Sequence, residues 1–140
     1  MDQKFNETIL HIISRDQRYQ ADAYEFVNAA VTYTARKLAR NRKPRGNRHV
    51  TAEELIAGSM DYAVSQYGFL APAVLRQWGI RCGEDFGNIV YNMIDEKLLS
   101  ANADDSQSDF QCHPALADEL QERIDTALLI TEPDTPPSLD

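Results

Sequence analysis

Apolar residues recur every three or four positions through most of this chain, the spacing of one helix face. Phe5, Ile9, Ile12 and Ile13, with Leu10 beside them, predict a first helix over 3–14. A short polar link from Ser14 to Arg18 leads to Tyr19 and a second helix of about twenty residues. Its Ala23, Phe26, Val27, Ala30, Val31, Thr34 and Leu38 share one face, flanked by Tyr24 and Tyr33. Tyrosines at a helix edge read as core rim before they read as a stacking platform. Thr51 and Glu54 have capping-box spacing and open a third helix, 51–67, whose face holds Leu55, Ile56, Met60, Ala63, Val64 and Tyr67 until Gly68.

Pro72 belongs to the first turn of a short fourth helix, 71–78, with Ala73, Val74, Leu75 and Trp78. Gly79 stands where a left-handed C-cap is wanted, and Ile80 can fold back on the preceding turn. The fifth helix, 84–97, buries Phe86, Ile89, Val90, Met93, Ile94 and Leu98; Gly87 suits a close helix crossing. Ser100–Ala103, the turn-forming 104–106 and the run 108–111 predict a short hairpin, with few β-branched residues to support it. His113 and Pro114 start a last helix with Leu116, Leu120, Ile124 and Leu128 facing inward.

The expected fold is therefore mainly α, one domain over 1–130 with six helices and a small β-hairpin. Helices 51–67, 71–78 and 84–97 followed by a hairpin have the order of a winged helix. From Thr131 the chain carries three prolines and three acids in ten residues, so 131–140 is expected to be a disordered acidic tail.

Charge changes this picture most at 36–49. Arg36, Lys37, Arg40, Arg42, Lys43, Arg45 and Arg48 are half of the fourteen basic residues, and no acid lies among them. The other seven basic residues face 22 acids, a formal −15 that this stretch lifts to −8. Arg36, Lys37 and Arg40 sit in the last turns of the second helix, where cations complement the macrodipole. The rest surround Pro44 and Gly46 in a loop. The functional reading of that loop is phosphate binding; the structural one is a solvated loop docked on an acidic body.

With 43% hydrophobic and 26% charged residues the composition is that of an ordinary globular domain. The start has no signal-peptide h-region and no apolar run approaches the ~18 residues of a membrane span, so a cytoplasmic protein is expected, with no membrane partner. Cys82 and Cys112 are expected as reduced thiols. His11, between Leu10 and Ile12, reads as structural or surface.

No residue constellation announces catalysis. There is no GxSxG, no CxxC, HxxxH or HExxH, and no P-loop or dinucleotide fingerprint. Cys82, Cys112, His11, His49 and His113 lack metal-ligand spacing. No enzyme, metal or cofactor is expected. Helix 84–97, with Glu84, Asp85, Asp95 and Glu96 against Lys97 alone, would be repelled from a phosphate groove, so conventional groove reading is not expected of it.

The segments RHVTAEELIAG (48–58), YAVSQYG (62–68), WGI (78–80), EDFGNIVYNMI (84–94) and DSQSDF (105–110) together resemble a small bacterial family of unknown function. DQRY (16–19), AYEFV (23–27) and Tyr33-Thr34 extend the likeness to about residues 5–112. It implies a short cytoplasmic bacterial protein standing as its own domain, with no assigned activity and no site residues to carry over. In that family the region after the second helix is often shorter, so RNRKPRGN (40–47) reads as an elaboration.

The leading expectation is a non-enzymatic protein that holds phosphates of RNA or DNA without reading sequence, through the seven basic residues of 36–49. RNA or a ribonucleoprotein is favoured, because no basic groove-reading helix is available. The alternative is a protein-interaction module whose acidic helix 84–97 and tail contact a basic partner.

Overall fold

A computed structural model describes residues 3–41, 50–100, 107–112 and 116–131, except for the side chains of 40, 41, 111, 112 and 128–131. These residues form α1 (Gln3–Arg15), α2 (Ala21–Asn41), α3 (Ala52–Tyr67), α4 (Ala71–Gln77), α5 (Gly83–Asp95) and α6 (Leu116–Thr131). Five of the helices run to 13–21 residues and α4 to seven. Two 3-10 turns, Gly68–Leu70 and Gln107–Cys112, complete the described structure.

Local chemistry sets the helix ends. At α3 the Thr51 hydroxyl accepts the Glu54 N–H at 3.1 Å, and the Glu54 carboxylate accepts the Thr51 N–H at 3.1 Å. Both are amide donors that the helix itself cannot pair. At α4 the Ile80 N–H reaches Leu75 O at 2.9 Å and the Gly79 N–H reaches Arg76 O at 3.0 Å, a Schellman closure with Gly79 at φ 98°. A Cβ on Gly79 would also lie 2.7 Å from the Arg18 carbonyl. α5 closes in the same way, with Leu98 N–H on Met93 O and Lys97 N–H on Ile94 O, but here the left-handed residue is Lys97, at φ 64°.

Packing makes α3 the hub, touching α2, α4, α5, α6 and both 3-10 turns, and gives α5 the most buried face. Helix α5 lies against α2, α3 and the 107–112 turn, while α4 packs also on α6, and α1 on α2. Phe86, Ile89 and Met93 of α5 are wholly buried, each contributing about 1.5–3 kcal/mol of transfer free energy. From α2 come Ala23, Tyr24, Phe26, Val27 and Ala30, from α3 Ile56 and Met60, and from α6 Leu116, Leu120 and Ile124. The α2–α3 crossing is close because Gly58 has no side chain: a Cβ there would stand 2.8 Å from Cβ and Cγ2 of Thr34.

Several expectations need correction. The described residues contain no strand. The expected returning arm, 108–111, belongs to the 3-10 turn Gln107–Cys112, while most of the first arm and the turn at 104–106 lie outside the described residues. SDFQ has one apolar residue and no alternation, so nothing pairs it as a strand; instead Phe110 drops against Gly87, where a Cβ would meet Phe110 Cβ at 3.0 Å. Gly87 thus serves this turn, not a helix crossing. α3, α4 and α5 follow in the expected order, but nothing among the described residues supports a winged helix. Tyr24, expected at the rim, is wholly buried, and Trp78 is only partly so, against Phe26 and Tyr67 with centroids at 5.6 and 5.8 Å. Of the expected disordered tail 131–140, Thr131 instead ends α6, and 132–140 lie outside the described residues.

Candidate nucleic-acid interface

The seven basic positions divide sharply. Arg42, Lys43, Arg45 and Arg48 lie outside the described residues, and Arg40 ends α2 with its side chain outside them. Arg36 and Lys37 are neighbours on α2 and point to different surroundings. The Lys37 ammonium donates to the Asp61 carboxylate at 2.5 Å, and Asp61 also accepts from Arg123 Nε at 3.0 Å. Lys37 therefore helps tie α2 to α3 and α6, and only part of its charge is available to a ligand.

Arg36 is exposed and pairs with no acid among the described residues. Helical spacing places it on one side of α2 with Ala29, Thr32 and Tyr33, and together with Tyr62 of α3 these residues line an open groove of about 450 Å³. The Tyr33 and Tyr62 rings lie 5.2 Å apart at 44°, and Lys37 Nζ sits 5.9 Å from the Tyr33 ring centroid. Tyr62 is held from behind by Phe26, at 5.6 Å. No acidic side chain lines this groove among the described residues, in a chain with 22 acids. A second groove, about 400 Å³ between α3 and α6, is lined by Asp61, Glu122 and Arg123 with Val64, Thr126 and Ala127, and its two acids make it a poor anion site.

The polar residues of α5 are largely engaged inside the fold. The Tyr19 hydroxyl donates to Asp85 at 2.6 Å and accepts from Asn88 at 2.9 Å, and the Asn88 carbonyl oxygen accepts from Gln107 at 2.7 Å. Asn92 donates to Asp16 and to the Tyr24 hydroxyl, both at 3.0 Å. The other Asp85 oxygen accepts the Arg81 and Cys82 N–H groups, at 2.8 and 3.2 Å, at the start of α5. Glu96 stands 3.4 Å from Arg15 and 3.5 Å from His11. Of the four acids in 84–97, only Glu84 and Asp95 are exposed, and the tail's acids lie outside the described residues.

The network also shifts protonation. Burial, reinforced by the Asp85 carboxylate, pushes the Tyr19 phenol well above its usual range, and burial raises Tyr24 as well. The Arg18 guanidinium, which donates to Asp16 at 2.6 and 2.9 Å, holds that carboxyl well below the usual carboxylate range. Burial pushes the Cys82 thiol up, which keeps it protonated and weakly nucleophilic. No group of three or more potential metal ligands occurs among the described residues, and His49 and His113 lie outside them.

Sequence reasoning missed Tyr62 and the groove. The signal on α2 was present, since Ala29, Tyr33 and Arg36 follow at intervals of four and three, but the partner on α3 becomes visible only once the helices cross. Compared with family models, curated proteins and solved structures, the chain matches none, and the likeness noted for residues 5–112 stands on its motifs alone.

Proposed function

We propose that this protein is a non-enzymatic nucleic-acid-binding protein that holds phosphates through the basic stretch 36–49, with RNA favoured over DNA. The observation that carries this reading is Arg36: an exposed, acid-free guanidinium beside two tyrosine rings, directly preceding the densest run of basic residues in an otherwise acidic chain. Clustered cations release counterions from a phosphate backbone on binding, which supplies affinity without sequence reading. The overall charge of −8 confines such contact to one patch.

Anisotropy of a labelled RNA and of a DNA duplex, followed from about 50 to 200 mM salt, tests it. Binding in the range of about 10⁻⁴ to 10⁻⁶ M with a steep negative salt slope is expected. Changing Arg42, Lys43, Arg45 and Arg48 together to Ser should abolish most of it. Absence of binding at the low-salt end would sink the proposal.

A protein partner is the second reading, and the feature that favours it is not α5 but the turn between α3 and α4, where Phe69 is 77% and Leu70 55% exposed. The two are adjacent in sequence, and contiguous exposed apolar surface is what a protein partner covers. A partner that co-purifies after nuclease treatment and is lost on Phe69→Ser would move this reading ahead.

A further inference from the structure

We infer that the groove between α2 and α3 accepts one unpaired base of a single-stranded nucleic acid, stacked against Tyr33 with Arg36 on the adjoining phosphate. The inference rests on the nucleic-acid reading above and adds a preference for single strands over duplex. Four observations converge on it.

Tyr33 is only half-buried, whereas Tyr24 on the same helix is completely enclosed and hydrogen-bonded. The groove volume, about 450 Å³, falls within the span of roughly 300–1,000 Å³ typical of ligand clefts. Its other lining residues, Ala29 and Thr32, are small, and the partly exposed Tyr33 packs on Tyr62, which in turn packs on Phe26. Arg36 is the one cation lining the groove among the described residues, while the Lys37 ammonium, 5.9 Å from the Tyr33 centroid, is paired with Asp61.

Each element has a task in binding a strand. Every base has a π-face, so a ring against which it stacks is tolerant of sequence. The guanidinium is planar, permanently charged and suited to a phosphate at the groove mouth. In a duplex the base faces are occupied by their neighbours, and only the phosphates remain for Arg36. The ring contact is therefore realised with a single strand alone.

The test compares an unstructured single-stranded RNA with an RNA duplex of equal length, both end-labelled, by anisotropy at low salt. Tyr33→Leu keeps an apolar side chain against Tyr62 and removes the ring face. It should weaken single-strand binding by roughly 5- to 150-fold and leave duplex binding within experimental scatter. Arg36→Ser, at an exposed position, should weaken both and make the salt slope shallower by about one unit. Thr32→Glu, also exposed, places a carboxylate in the groove and should weaken the single strand more than the duplex. It keeps the test decisive should Tyr33→Leu fail to fold.

If Tyr33→Leu, shown folded by circular dichroism, binds single strands as the parent does, the groove inference is overturned. Loss of binding in the Arg42, Lys43, Arg45 and Arg48 variant would then still uphold the broader reading. Equal weakening of single strand and duplex by Thr32→Glu would overturn the inference as well. A parent protein that binds neither RNA sinks both.

Discussion

Tyr19 shows how much one side chain can hold. It comes from the polar link between α1 and α2, yet its hydroxyl joins Asp85 and Asn88 of α5, and its ring meets Tyr24 edge-on at 6.5 Å. Tyr19→Phe would leave an Asp85 oxygen and the Asn88 amide short of a partner, at a cost of about 1–3 kcal/mol. The pH dependence has a definite sign. The folded phenol ionises above its unfolded value of about 10, so its contribution is whole below pH 10 and is lost as pH rises beyond it. Asp16 acts at the other end: its folded pKa lies below the unfolded value of about 3.9, so its contribution is present above pH 4 and disappears on further acidification. Urea midpoints across pH should therefore fall less steeply above pH 10 in Tyr19→Phe and less steeply below pH 4 in Asp16→Asn. Unchanged limbs in both would remove these residues as the source.

Between helices, the decisive contact is the one between α2 and α3. Gly58 and Thr34 meet where no further atom fits, and the Thr34 hydroxyl is buried without a hydrogen-bond partner among the described residues. Gly58→Ala should destabilise by about 1–3 kcal/mol, because the added methyl meets a β-branched side chain on a rigid helix. Adding Thr34→Ala removes Oγ1 and Cγ2 and leaves only Cβ in close approach, so the double variant should be more stable than Gly58→Ala alone. Simple additivity in urea unfolding would contradict this contact. The same crossing brings Tyr62 beside Tyr33 and so forms the groove. Its loosening should weaken single-strand binding along with stability.

Across the whole molecule, stability is expected to be graded outward from the packed α3 and α5. Helix α5 is enclosed by α2, α3 and the 107–112 turn and is tied to the α1–α2 link by the Asp16, Tyr19, Asn88 and Asn92 network. The Gly68–Leu70 turn exposes Phe69 and Leu70 and buries none of its residues. In native-state hydrogen exchange, the amides of 89–93 should exchange only through global unfolding and those of 68–70 through local opening. Equal protection of the two segments would contradict this gradient. No helix among the described residues is long and apolar enough to cross a membrane.

Helix positions were legible in the chain because each depends on nearby residues. Spacing of apolar residues marks the faces of α2, α3 and α5; Thr51 with Glu54 marks a start, and Gly79 with Ile80 marks a stop. The left-handed Lys97 was not legible, since only the closing bonds to Met93 and Ile94 hold a non-glycine residue there. The hairpin expected at 100–111 rested on turn residues without strand chemistry, and the fit of Phe110 against Gly87 decided otherwise for 107–112. Acid content marked α5 as a surface for partners, but its Asp85, Asn88 and Asn92 turn inward, because what a polar side chain faces depends on which elements close around it. The basic stretch could likewise be read from local composition. The groove beside it arose from residues 29–36 and Tyr62 meeting across a helix crossing, and long-range contact of that kind is settled only by the folded packing.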